Sequence, residues 1–158
     1  MLVAGVAVSD GVFDRTVCLI VDADPHGVLG IVVNRLTDHD LDAALPGWGA
    51  VASFPSRLFD GGPVSREGAV CLAVPSDADE EPPGWRPIFG RVGLLHLDSP
   101  VEIVLGAYSS LRIFAGYAGW EPGQLQAELA NGWWHPIATE HADIFDPEPD
   151  SLWRRVLR

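Results

Sequence analysis

Three short apolar runs, each closed by turn residues, constrain this chain more than any other feature. They are "RTVCLIV" (residues 15–21), "VLGIVVN" (28–34) and "AVCLAV" (69–74). Each is too short for an ordinary globular helix and rich in β-branched residues, which marks buried strands. The first reads as a central strand. "DADPHG" (22–27) separates the first two with Pro and Gly, and it is too short for a crossover helix. These two runs therefore pair as an antiparallel hairpin.

The remaining segments fill in around this frame. Residues 2–8, 92–98 and 111–120 read as strands, and "WWHPI" (133–137) as a last strand. In 111–120, Leu111, Ile113 and Ala115 share one face, and Arg112 and Phe114 the other. Residues 38–47 read as a short helix capped by Asp38, with Leu41, Ala44 and Leu45 on one face and Pro46 as its stop. Residues 122–131 form a helix with Pro122 in its first turn, Leu125 and Leu129 one turn apart, and Gly132 as C-terminal cap. Residues 149–158 form a terminal helix, capped by Asp150 or Ser151, whose Leu152/Val156 and Trp153/Leu157 pairs suit docking. "RLFDGGPV" (57–64) reads as a turn-rich connection and 77–87 as a solvated loop. Residues 100–110 stay ambiguous: Pro100 suits a helix start, but the β-branched residues and Gly106 disfavour one. Strands outnumber helices and hairpins mix with longer connections. The fold class is therefore α+β, one compact domain (1–158) with a mixed, mostly antiparallel sheet flanked by helices.

The formal net charge is −12, with 22 acidic residues against 10 basic ones. Nucleic-acid affinity rests largely on neutralised phosphates, and here the arginines are scattered, so direct DNA binding is not expected. All basic residues are arginine. The absence of lysine excludes Schiff-base chemistry, the P-loop and the protein-kinase lysine. No stretch is long and apolar enough for a membrane span, and the short apolar N-terminus lacks the basic flank of a signal peptide. The expected location is cytoplasmic. Cys18 and Cys71 lie in apolar runs and read as buried, inert thiols.

Candidate chemistry is sparse. "DADPHG" resembles the start of a calcium loop, but its twelfth position is Val33 and not a bidentate glutamate. His135, Glu140, His141 and Asp143 lack the usual zinc spacings, so no metal or cofactor is expected. There is no G-x-S-x-G elbow. The glycines of "FDGGPV", Gly61 and Gly62, could form a backbone nest for an anion, although tight turns need the same residues. "GYAGW" (116–120) lacks the G-x-G-x-x-G spacing of dinucleotide sites.

"VFDRTVCLIVDADPHGVLGIVVNR", "LFDGGPV", "GYAGWEPGQLQAELANGWW" and the tail "IFDPEPDSLWRRVL" occur in this order. Together they resemble the bacterial YqgE/AlgH family over nearly the whole chain, from about Leu2 to Leu157. The resemblance implies a bifurcated, partly barrel-like sheet surrounded by helices. It implies no reaction, cofactor or catalytic residue. Some members carry the label of transcriptional regulator, but no helix-turn-helix is visible here. Two departures stand out: a histidine common in the family's first loop is replaced by Ala23, and the family's "N-R-P" becomes Asn34-Arg35-Leu36.

The polar and aromatic positions matching the family are Asn34, Arg35, Asp60, Tyr117, Trp120 and Gln124; with Gly61 and Gly62 they form the candidate binding surface. The first expectation is a non-enzymatic interaction or regulatory domain with a protein partner. The second is a small-ligand or anion binder, or an unrecognised enzyme, with "FDGGPV" and "GYAGW" as floor and Arg35 as counter-charge. Direct transcriptional control through DNA comes third. Partner identity and oligomeric state are not legible in the sequence.

Overall fold

The computed structural model describes residues 2–4, 15–77, 79–138 and 140–157, with the side chains of 2–4 and 157 left aside. Among these residues ten strands form one curled, half-barrel sheet, mostly antiparallel, with few helices. The predicted hairpin is present. β2 (Val17–Asp24) and β3 (Gly27–Val32) pair antiparallel from Cys18↔Val32 to Asp24↔Gly27. The calcium-like motif is its turn, where the N–H of His26 donates to Asp24 Oδ1 at 2.7 Å. β1 (Leu2–Ala4) lies between β2 and β10 (Trp134–Pro136). The rest of the predicted first strand, residues 5–8, lies outside the described residues.

The longest strand, β9 (Tyr108–Trp120), explains how the sheet divides. One of its edges pairs antiparallel with β6 (Val64–Pro75). The other edge is shared. β5 (Arg57–Asp60) pairs with it in parallel at Phe114 and Ala115, and β3 pairs antiparallel at residues 118–120. Past β6 follow β8 (Val92–Leu95) and β7 (Trp85–Phe89). β4 (Leu36–Asp40) pairs with β5.

Both faces of the sheet are covered, which is why its strands read as continuous apolar runs. Val17, Leu19, Ile31, Val33, Leu72, Val74 and Phe114 point into one core with Ile144, Phe145 and Leu152. Their neighbours Cys71, Ala73, Leu111 and Ile113 join Leu41, Trp48 and Val104 on the opposite face. Cys18, Val32, Ala118 and Trp120 join Leu125 and Trp134 in a third cluster. The predicted alternation of Leu111 and Ile113 against Arg112 and Phe114 holds. It changes face across Gly116, whose φ is +76° and opposite which β6 bulges between Val64 and Ala69.

Several elements differ from the sequence expectation. The "turn-rich connection" contains β5, whose Phe59 is fully buried; only its GGP continuation is a turn. The solvated loop ends in β7, an edge strand that tolerates Pro87 because only one side carries a ladder. Residues 36–40 are strand, so the helix over 38–47 shrinks to one turn, α1 (Leu41–Ala44). It begins after Asp40, which makes no side-chain cap bond. Leu41 is buried as expected, but Ala44 is exposed. The ambiguous stretch 100–110 holds a single turn, α2 (Val101–Val104), before β9 begins.

α3 (Gln124–Ala130) starts two residues after Pro122, which lies in the preceding turn. Its C-terminus closes as expected at Gly132. The N–H of Trp133 donates to Glu128 C=O at 3.0 Å, and that of Gly132 to Leu129 C=O at 3.1 Å, the Schellman pattern. A turn at α4 (His141–Ile144) precedes a short 3₁₀ turn (Pro149–Ser151) and α5 (Leu152–Leu157). Leu152 is fully buried, and Trp153 and Val156 pack beside it. No helix among the described residues is long and apolar enough to cross a membrane.

Candidate functional site

The "DGG" stretch forms a tight crossing between β5 and β9. A Cβ on Gly62 would stand 2.3 Å from the carbonyl of Tyr117, and one on Gly116 would stand 2.4 Å from that of Gly62. The glycines thus let two backbones touch. Their N–H groups have acceptors within the chain: Gly61 donates to Ala115 C=O at 2.8 Å, and Gly62 to Asp60 Oδ1 at 3.2 Å. The carboxylate of Asp60 also pairs with Arg66 at 2.8 Å. An anion seated here would have to compete with these bonds, each worth about 0.5–1.5 kcal/mol net. Arg35 contributes its backbone carbonyl, which accepts the Asp60 N–H at 2.8 Å.

Asn34 is nearly buried and clamps the start of β2. Its Oδ1 accepts the Val17 N–H at 2.9 Å, and its Nδ2 donates to Arg15 C=O at 3.0 Å. Trp120 packs edge-to-face on Trp134 with centroids 5.7 Å apart. Both indoles donate to one atom, Glu128 Oε1, at 3.2 and 2.9 Å, while Gln124 Nε2 donates to Glu128 Oε2 at 2.8 Å. Gln124 Oε1 accepts the Glu121 N–H at 2.9 Å, closing the start of α3. These residues tie elements together in the manner of fully satisfied polar networks.

Tyr117 is different. It lines a groove of about 470 Å³ beneath the β2–β3 hairpin. Trp120 contributes to the same groove, along with Leu29, Val64 and Gly119. Asp22, Asp24, His26 and Glu121 form its polar rim. Val64 stands directly across from Tyr117, and Leu29 across from Gly119. A Cβ on Gly119 would meet nothing within 4 Å. That glycine therefore opens the groove and does not serve close backbone packing, unlike Gly116. Of the eight candidate residues, Tyr117 and Trp120 meet here. Asn34, Arg35, Asp60, Gly61, Gly62 and Gln124 are not among the lining residues.

Sequence reasoning missed Arg112, which it counted among scattered arginines. It is 1% exposed. Nη1 donates to the carbonyls of Ile144 and Asp146 at 2.9 and 3.1 Å, and Nη2 to that of Phe54 at 2.8 Å. Burial lowers its pKa to about 10. The available signal was a cation inside an apolar strand, "LRIF", where arginine is rarely buried unless paired. Burial also pushes the Cys18 thiol up to about 12 and raises that of Cys71, so both are protonated and unreactive near neutrality.

Residues 1–158 match the model of the family described as AlgH-like. The UPF0301 protein of Streptomyces avermitilis is 48% identical over 161 residues, covering 100% of this chain and 83% of its relative. That of Thermobifida fusca is 37% identical over 167 residues, covering 100% and 84%. A crystal structure of a Corynebacterium diphtheriae protein superimposes with a TM-score of 0.92 at 28% identity, over 99% of this chain and 83% of that one. The solution structure of AlgH from Pseudomonas aeruginosa gives 0.74 at 28% identity, over 99% and 85%. The match of the family model to the whole chain, with relatives at 37% and 48% identity over its full length, leads to one conclusion: the chain belongs to the AlgH-like, UPF0301 family.

Proposed function

We propose that this chain is a non-enzymatic interaction domain with a regulatory role, acting in the cytoplasm on a protein partner. The observation that supports this reading is the Tyr117 groove. Leu29 and Val64 remain 40% and 37% exposed around it, inside a ring of charged and polar residues. An apolar centre within a polar rim is the anatomy of a protein interface. The carboxylates and the imidazole on its rim (Asp22, Asp24, His26 and Glu121) are exposed to solvent, which suits recognition better than catalysis.

Gly119 supplies the test, because a bulky residue there fills the groove without a backbone clash. Affinity capture from native lysate is compared between the unaltered chain and Gly119→Phe. The interaction reading requires a partner that the unaltered chain retains and the blocked variant loses. Equal capture by both would end it. A rise in melting temperature with nucleotides or acidic metabolites would favour the small-ligand reading, through mass action. A specific gel-shifted complex at moderate salt would favour DNA, and none is expected.

A further inference from the structure

A larger groove, of about 960 Å³, is built from three separate segments. Alternate β4 residues Leu36, Asp38 and Asp40 form one wall, residues 54–57 a second, and residues 147–151 a third. Asp38, Asp40, Glu148 and Asp150 bring four carboxylates to it, all exposed. Among the described residues none of the four is in an ion pair. Arg57 lies on the same lining and opposite Asp40 in the β4–β5 register, yet it does not pair with Asp40.

Charge is not the only feature. Phe54, at 74%, is the most exposed large apolar side chain among the described residues. Its backbone is held, because its carbonyl accepts from buried Arg112. The same guanidinium grips the carbonyls of Ile144 and Asp146, just before the third wall. Pro55, Pro147 and Pro149 restrict both walls further. The groove is therefore set before anything binds, which lowers the ordering cost of association. An exposed aromatic ring beside unpaired carboxylates suits a cation that carries an apolar stem, as arginine and lysine do.

We propose that this groove docks an arginine- or lysine-bearing segment of a partner protein. It goes beyond the interaction reading, since it concerns a different surface and names the partner's chemistry. A fluorescein-labelled nonapeptide with alternating arginines and a central leucine is the probe. Its counterpart with glutamine for arginine is the control. Anisotropy is measured on the whole chain at low ionic strength. The arginine peptide should saturate and the glutamine peptide should not. Asp38→Asn with Asp150→Asn should weaken binding about tenfold, and Phe54→Ala about threefold or more. Asp22→Asn with Glu121→Gln, in the Tyr117 groove, should change it less than about twofold.

Four results would overturn the proposal. One is an equal loss in the Tyr117-groove variant, which means a diffuse acidic field. Another is indifference to Phe54→Ala. A third is displacement by spermine as effective, charge for charge, as by unlabelled peptide. The last is the absence of saturation. None of the variants designed against this groove touches the Tyr117 groove, so either reading can fail while the other stands.

Discussion

The guanidinium carbon of Arg112 lies 4.4 Å from the centroid of the Phe59 ring, at the centre of the protein. Phe59 in turn meets Phe114 edge-to-face with centroids 5.6 Å apart. A buried cation is thus held by an aromatic face and by main-chain carbonyls of residues 54 and 144–146, and among the described residues no carboxylate takes part in its side-chain hydrogen bonds. Its Nε has no acceptor among the described residues. Two chain segments far apart in sequence converge because one side chain supplies donors to both.

Arg112→Met should therefore destabilise the fold by about 3–5 kcal/mol, since it strands several buried carbonyls at once. Arg112→Lys should recover only a minor part, because an ammonium cannot reproduce the planar fork or the stacking. Urea denaturation measures both. A loss under about 1 kcal/mol for the Met variant would mean that water or chain relaxation satisfies the carbonyls equally well.

Glu128 holds three side-chain donors with two oxygens. Glu128→Ala should cost about 2 kcal/mol, since two indole N–H groups and an amide lose a charged acceptor. Glu128→Gln keeps one oxygen for the indoles and should cost about half as much, at the expense of the Gln124 bond. Near-ultraviolet circular dichroism should change more in the Ala variant, because Trp120 and Trp134 meet edge-to-face at this point. Identical spectra for the two variants would show that packing alone orients the indoles.

These networks also show what the sequence could and could not reveal. β2, β3 and the core of β6 were legible because both faces are buried where their apolar runs lie, leaving short, almost wholly apolar segments. β5 was hidden because its four residues abut the turn signal GGP, and its pairing with β9 is long-range and parallel. β7 was hidden by Pro87, which an edge permits. Trp120 and Gln124 read as surface residues because their polar atoms suggest recognition. Those atoms bond to Glu128 and the Glu121 N–H, while the Trp120 ring also lines the Tyr117 groove. Tyr117 lines a groove, but that groove depends on Val64 and Leu29, which only the register brings beside it.

The strand crossing predicts a sharp contrast among glycines. Gly116→Ala places a Cβ 2.4 Å from a backbone carbonyl, at a φ of +76°. Left-handed strain and overpacking add, so a loss of about 2–4 kcal/mol is expected. Gly119→Ala, three residues away, meets open space and should stay within about 0.5 kcal/mol of the unaltered chain. Melting temperatures of the two variants decide the matter. A comparable loss in both would mean that β9 tolerates no side chain near its bend, and the contact geometry would not be the cause.

The two buried thiols predict how stability falls in alkali. Both have folded pKa values raised above the ordinary 9.0, Cys18 to about 12 and Cys71 in the same direction, and burial is the main cause in each. Between pH 9 and pH 12 the unfolded chain loses these protons while the folded chain keeps them. Stability present below pH 9 is therefore lost as pH rises through 10, by on the order of 1 kcal/mol per thiol. Arg112 acts in the opposite sense. Its folded pKa is lowered to about 10, so the folded chain sheds that proton first and gains stability with pH. At pH 10 this gain is only beginning, so the loss from two thiols dominates. Urea midpoints at pH 8 and pH 10 should fall steeply for the unaltered chain. The fall should be about halved in Cys71→Ala, whatever that variant's own starting stability. An unchanged slope would show that Cys71 is not shielded from ionisation in the folded state.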